Sequence, residues 1–203
     1  MKKSILILFC IITYSVSQAQ SDSDSHWFKK DHLFTGGGIT LNFFNTQFAV
    51  GATPVIGYRI NKWFDAGLLV NFLYVREGNI NNAGITGKQT VIGPGAFARI
   101  YPVNFLFVQG QYEQNYVNYK FLYPNNIPSE KIKFKPTSVL VGAGYCQGRE
   151  NSDDMFFYLS VLFDIQKNEN SPYVQVNNIG GVQAVPIIRG GIQIPLFTGK
   201  SLF

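Results

Sequence analysis

The side chains with the plainest chemical potential are His26, His32, Cys146, the acidic run Glu150-Asn151-Ser152-Asp153-Asp154, and the charges Arg59, Arg99, Glu113, Asp164 and Arg189. Hydrolysis by a Ser–His or Asp–His pair needs an imidazole, whose proton affinity suits neutral pH. Both histidines precede Leu33, ahead of the first regularly patterned segment. They read as ordinary polar residues near the start of the domain, and the expectation is that the protein is not an enzyme. The acidic run falls in a short connection and reads as a solvated turn, so no metal site is expected. Thr35-Gly36-Gly37-Gly38 and Gly190-Gly191 lack the strand-to-helix setting of a phosphate loop. No cofactor is expected, and the glycines instead suit close strand approach. Cys146 reads as a small packing residue.

The elements that must position the five charges are strands. Residues 1–19 read as a signal peptide, with Lys2 and Lys3, an apolar run from Ile5 to Tyr14, and small residues Ser17 and Ala19 before the expected cleavage point. Residues 20–32 are expected to form a disordered periplasmic lead-in, and residues 33–203 a β-barrel. Without Lys2 and Lys3 the chain keeps 15 basic against 12 acidic residues. That excess is too small for nucleic acid, and no basic stripe is interleaved with stacking aromatics. Cys146 has no partner outside the leader, which removes an intramolecular disulfide. Aromatics make up 15% and charged residues only 14%, against about 25% in an ordinary soluble domain.

Eight segments with period-two character follow: Leu33–Phe44, Phe48–Ile60, Phe64–Arg76, Lys88–Ile100, Phe105–Asn118, Lys135–Gln147, Met155–Gln166 and Val185–Phe197. The connections at Asn61–Trp63, Tyr101–Asn104 and Arg149–Asp154 are short. Those at Glu77–Gly87, Phe121–Phe134 and Lys167–Ala184 are long. Only the first connection, near Asn45-Thr46-Gln47, is short on the side where the others are long. Sorting of short turns to one end and long loops to the other is the habit of outer-membrane barrels. The fold class expected is all-β: an eight-stranded antiparallel transmembrane up-and-down β-barrel.

Alternation assigns the faces. In the seventh segment Phe157, Leu159, Val161, Phe163 and Ile165 oppose Phe156, Tyr158, Ser160, Leu162 and Asp164. The same reading in the other segments predicts an interior polar network of Arg59, Asn71, Arg99, Gln109, Gln111, Glu113, Tyr158, Asp164, Arg189 and Gln193. A barrel of eight strands is just wide enough for side chains to fill it, so these groups are expected to satisfy one another as a plug rather than to line a path. Pro54, Pro94 and Pro195 are expected at bulges or strand ends. Trp63, Phe64, Tyr101 and Phe105 near the short turns, and Phe43, Phe44, Tyr74, Tyr116, Tyr119 and Tyr123 near the opposite ends, are expected to form two interfacial girdles. Lys120, Lys131, Lys133 and Lys135 make the third outer loop, around Phe121–Phe134, basic.

Four stretches carry a resemblance: Gly57-Tyr58-Arg59-Ile60-Asn61-Lys62-Trp63, Ala98-Arg99-Ile100-Tyr101-Pro102, Val141-Gly142-Ala143-Gly144-Tyr145 and Pro186-Ile187-Ile188-Arg189-Gly190-Gly191. Together they resemble small outer-membrane barrel proteins of Bacteroidetes-type bacteria, similar in architecture to OmpX and the OmpA membrane domain. The resemblance spans Leu33 to Phe197 and implies architecture more than role. It departs at the tail, where either Phe197 or Phe203 fits the terminal aromatic that barrel insertion reads in that family. The function expected is a non-enzymatic outer-membrane barrel with a structural or loop-mediated interaction role. The alternatives are a narrow pore for small solutes and a soluble ligand carrier of lipocalin type. The partners expected are outer-membrane lipid and lipopolysaccharide and a protein at the outer loops, with no nucleic acid and a monomeric state.

Overall fold

Strands rich in β-branched and aromatic residues pair into a sheet whose eight long strands close on themselves. The computed structural model describes residues 29–44, 47–80, 85–124, 129–149, 154–176 and 181–197. The expected signal peptide, His26, the turn at Asn45-Thr46, Glu150–Asp153 and the tail from residue 198, Phe203 included, lie outside the described residues.

The strands are β1 (Leu33–Phe44), β2 (Gln47–Asn61), β3 (Phe64–Ile80), β4 (Ile85–Val103), β5 (Leu106–Gln114), β6 (Tyr116–Leu122), β7 (Glu130–Phe134), β8 (Thr137–Gln147), β9 (Phe156–Asp164), β10 (Val174–Val176), β11 (Val182–Ala184) and β12 (Ile187–Pro195). Around the barrel the order is β3-β2-β1-β12-β9-β8-β5-β4, and β4 pairs back onto β3. Every pairing is antiparallel. The result is a closed eight-stranded up-and-down barrel. β6 and β7 prolong the walls begun by β5 and β8, and β10–β11 is a small hairpin in the connection between β9 and β12.

The structure departs from the expected elements in several places. The connections assigned to Glu77–Gly87 and Phe121–Phe134 are largely strand. β3 and β4 stay paired as far as Ile80 and Ile85, and β6 and β7 form a paired hairpin. Along Glu77–Gly87 few apolar residues mark either face, and on β7 the alternation of Ile132 and Phe134 with Lys131 and Lys133 is too short to stand out from a loop. Pro94 and Pro54 lie within continuous strands and shift no register. The discontinuity falls instead on the neighbour of β4. Asn115, between β5 and β6, sits opposite the region of Pro94 and Pro136, and its N–H donates to the Pro136 carbonyl at 2.9 Å. A proline cannot donate to the ladder, so the strand beside it breaks without losing its alignment. Pro195 ends β12. Finally, Lys30–His32 form a 3-10 turn at the foot of the expected lead-in. His32 Nδ1 donates to the Arg59 carbonyl at 2.7 Å.

The faces alternate cleanly. β9 reads buried, exposed, buried, exposed from Phe156 to Asp164, and β5 does the same from Leu106 to Glu113. Large apolar side chains dominate the outside, among them Ile39, Leu68, Val108, Leu159 and Ile188. Inside, Phe34 lies across Gly57, where an added Cβ would sit 2.3 Å from the ring, and Tyr158 lies across Gly191. These glycines let aromatics cross a lumen that a Cβ would close.

Candidate functional site

The lumen gathers chemistry-bearing side chains from all around the barrel, because every second residue of each strand must point into it. All ten residues expected there, Arg59, Asn71, Arg99, Gln109, Gln111, Glu113, Tyr158, Asp164, Arg189 and Gln193, are buried. Nine of them fall into three groups, the first two sharing Gln111 and Glu113.

The central group is built around Arg99. Its Nε donates to Gln109 Oε1 at 2.8 Å, and its Nη1 donates to Gln193 Oε1 at 3.0 Å. Each amide then passes the polarity on. Gln193 Nε2 donates to Asp65 Oδ2 at 3.0 Å. Gln109 Nε2 donates to Gln111 Oε1 at 2.7 Å, and Gln111 Nε2 donates in turn to Glu113. One buried cation is thus joined through amide relays to two buried carboxylates, Asp65 on one side and Glu113 on the other. The relay fixes the orientation of all three amides, since each must turn its oxygen toward a donor. The Arg99 guanidinium also lies 4.4 Å from the Tyr158 ring centroid and 5.0 Å from those of Phe97 and Phe107. These aromatic faces stabilise a cation removed from water.

The second group surrounds Glu113 toward the long-loop end. The Tyr173 hydroxyl donates to Glu113 Oε2 at 2.6 Å and accepts from Asn71 Nδ2 at 2.6 Å. Thr53 Oγ1 donates to Asn71 Oδ1 at 2.9 Å. Arg189 Nη1 donates to Gln111 Oε1 at 3.1 Å, and its Nε reaches Thr40 Oγ1 at 3.4 Å. Tyr173 is not on a barrel strand. It belongs to the β9–β12 connection, which folds back and drives this ring into the lumen. Burial, reinforced by the Glu113 carboxylate, pushes its phenol well above the usual pKa. It therefore stays a neutral donor. The third group tethers the same connection: the Ser171 hydroxyl donates to Asp164 Oδ2 at 2.6 Å and lies 2.9 Å from Ser138 Oγ.

The opposite end is closed differently. Tyr101, Phe107, Cys146, Phe156 and Tyr158 form one buried cluster. Gly148 takes φ +91°, which turns the chain back, and Arg149 tucks beneath Tyr101 with its guanidinium 3.7 Å from the ring centroid. Arg149 Nη2 donates to the Lys62 carbonyl at 2.9 Å. Tyr101, expected in an outer girdle, is instead inside the barrel, and its hydroxyl donates to Asp65 at 3.0 Å. Tyr119 also turns inward, lining a cavity of about 190 Å³ at the loop end with Glu77, Phe121 and Phe134. The parity of β4 and β6 places both residues on the lumen side. Trp63, Phe105, Phe43, Tyr74 and Tyr116 are exposed on the outer wall.

Sequence reasoning missed Asp65, Asn115, Ser138, Arg149, Ser171 and Tyr173. Asp65 was legible, since it shares the parity of Asn71 on β3. Tyr173 and Arg149 carry no such signal, because each enters the lumen from a connection. The four lysines assigned to the third loop lie on or beside the β6–β7 hairpin, with Lys120 facing Lys131 across the ladder.

No protein-family model matches this sequence, and no curated protein matches it. Among solved structures the chain is similar to the crystal structure of Ail, the attachment invasion locus protein of Yersinia pestis. The two share 14% identity over 80% of this chain and 95% of that chain, with a TM-score of 0.43.

Proposed function

We propose that this chain is an exported, non-enzymatic outer-membrane barrel, sealed along its axis, whose role is structural or exerted through its long-loop end. The observation that carries this reading is the inversion of polarity: an apolar outer wall around a lumen filled with hydrogen-bonded polar side chains. A water-soluble carrier of lipocalin type would need the reverse, a polar outside and a roomy apolar inside. Here Phe43 is 74% and Leu68 63% exposed, and Arg59 and Arg99 rank among the largest fully buried side chains. In lipid this arrangement satisfies both surfaces.

The absence of an enzymatic role rests on access. Glu113 and Asp164, the carboxylates best placed for acid–base work, are spoken for by Tyr173, Gln111 and Ser171 within a filled lumen. The test is fractionation with heat-modifiability: the protein should partition with membranes and migrate differently on a gel before and after boiling. Recovery in the soluble fraction without detergent would overturn the membrane reading.

A narrow pore is the second reading, and the polar column along the axis is what favours it. Two features weigh against conduction. Arg99 holds its protons at any physiological pH, and the amides between it and the carboxylates donate in one direction only. Planar-bilayer recordings of the wild type should show no stepwise conductance, and resolved steps would favour the pore.

A further inference from the structure

The outward surface of β3, β4, β6 and β7 is graded in polarity, and strand register aligns the grading across all four. In the lowest row Phe72 faces Ile92, and Ile92 faces Tyr116. Lys135 lies beyond, with its Nζ 5.8 Å from the Tyr116 ring centroid. In the next row Tyr74, Thr90, Asn118 and Lys133 are successive cross-strand partners. Above it, Arg76, Lys88, Lys120 and Lys131 are successive partners in the same way. Neighbouring strands lie about 4.8 Å apart, so the four cations span roughly 15 Å.

Like charges directly opposite one another destabilise a sheet. The carboxylates of these strands offer no relief, because Glu77 and Glu130 have the opposite parity. Among the described residues, no outward position of the four strands is acidic. The row is also one-sided: beyond Arg76 the neighbour on β2 is Phe48, which packs against Phe43 at 5.0 Å between ring centroids.

We propose that this row docks the phosphate groups of a multiply phosphorylated lipid in the surrounding leaflet, whose acyl chains lie against Phe72, Ile92 and Tyr116. The inference rests on the membrane reading above and names the partner of its outer wall. A soluble anion would need only the charges. An amphiphile also needs an apolar surface at a set distance below them, and the graded wall supplies both. Arg76 suits bidentate phosphate contact, while the three lysines act as point charges.

The test uses the full chain in phosphatidylcholine nanodiscs, titrated with bisphosphorylated lipid A or with the same lipid A stripped of phosphate. Wild type should bind the phosphorylated form far more tightly, and the preference should fall as salt rises. The triple variant Lys88→Gln, Lys120→Gln, Lys131→Gln should weaken that binding roughly a hundredfold, from the contribution of basic residues near a lipid surface. Lys62→Gln, at the other end of the barrel, should leave it unchanged. Equal affinity for the dephosphorylated lipid, wild-type affinity in the triple variant, or displacement by inorganic phosphate alone would overturn the proposal. The gel shift of each variant on boiling reports insertion separately, so a failed membrane reading is told apart from a failed lipid site.

Discussion

The two halves of the lumen are closed by different means. At the short-turn end the filling comes chiefly from the strands themselves: Arg99 in its cage of Phe97, Phe107 and Tyr158, with Tyr101 beneath and Arg149 as a cap. At the long-loop end the strands leave space, and the β9–β12 connection supplies Tyr173 and Ser171 to occupy it. Two cavities are found there, one bounded by Thr40, Leu73, Tyr173 and Ile187, the other by Glu77, Tyr119 and Phe134. Register holds the first closure in place, so disturbing it disturbs the barrel. The second is held by a few hydrogen bonds to a connection and can open while the strands stay paired.

Breaking the turn-end closure should therefore cost the most. Arg99→Met removes two charge-assisted hydrogen bonds and strands the amides that accept them, at about 3–5 kcal/mol. Urea unfolding of the refolded protein in micelles reads this directly, and a loss below about 1 kcal/mol would contradict the account of a tightly packed turn end. Gly144→Ala should be next. Its Cβ would meet the Phe107 ring at 2.3 Å, and overpacking of this kind costs about 1–3 kcal/mol. Gly110→Ala, where nothing lies within 4 Å, should stay within about 0.5 kcal/mol.

At the loop end, Tyr173→Phe leaves Glu113 one donor short and Asn71 Nδ2 without its acceptor. The cost should be about 1 kcal/mol, at the low end for buried groups because the connection can open to water. Hydrogen exchange should quicken in residues 165–176 while the barrel strands keep their protection. Equal loss of protection in β5 and β9 would erase the distinction between the two closures. The smaller effect at this end is expected for Tyr119→Phe, which loses only a 3.5 Å contact to Glu77 and should change stability by less than about 0.5 kcal/mol.

Much of the barrel was legible from one period. Where one face meets an apolar surrounding and the other a packed interior, a strand must alternate. Leu33–Phe44 was read with the bounds the structure gives it, and Met155–Gln166 was read to within two residues. The same rule pointed Arg59, Arg99, Glu113, Asp164 and Arg189 inward. It failed above the apolar belt, where β3 and β4 run on past Arg76 and Lys88 and where Lys120 and Lys131 sit on a paired hairpin rather than in a loop. On β7 Ile132 and Phe134 do alternate with Lys131 and Lys133, but over too few residues to mark a strand against a loop.

The sequence by itself thus determined most of the strands and the parity of their side chains, because period-two patterning is a local property that each strand expresses alone. Tertiary structure alone decided which of the inward groups meet. Arg99 reaches Gln193 across 94 positions, and Asn71 reaches Tyr173 across 102. Such partners are set by closure of the barrel and by the path of a connection, and neither leaves a periodic trace in the chain. The cationic row belongs to both levels: the residues are plain in the sequence, but only the register of four strands lines them up at one height.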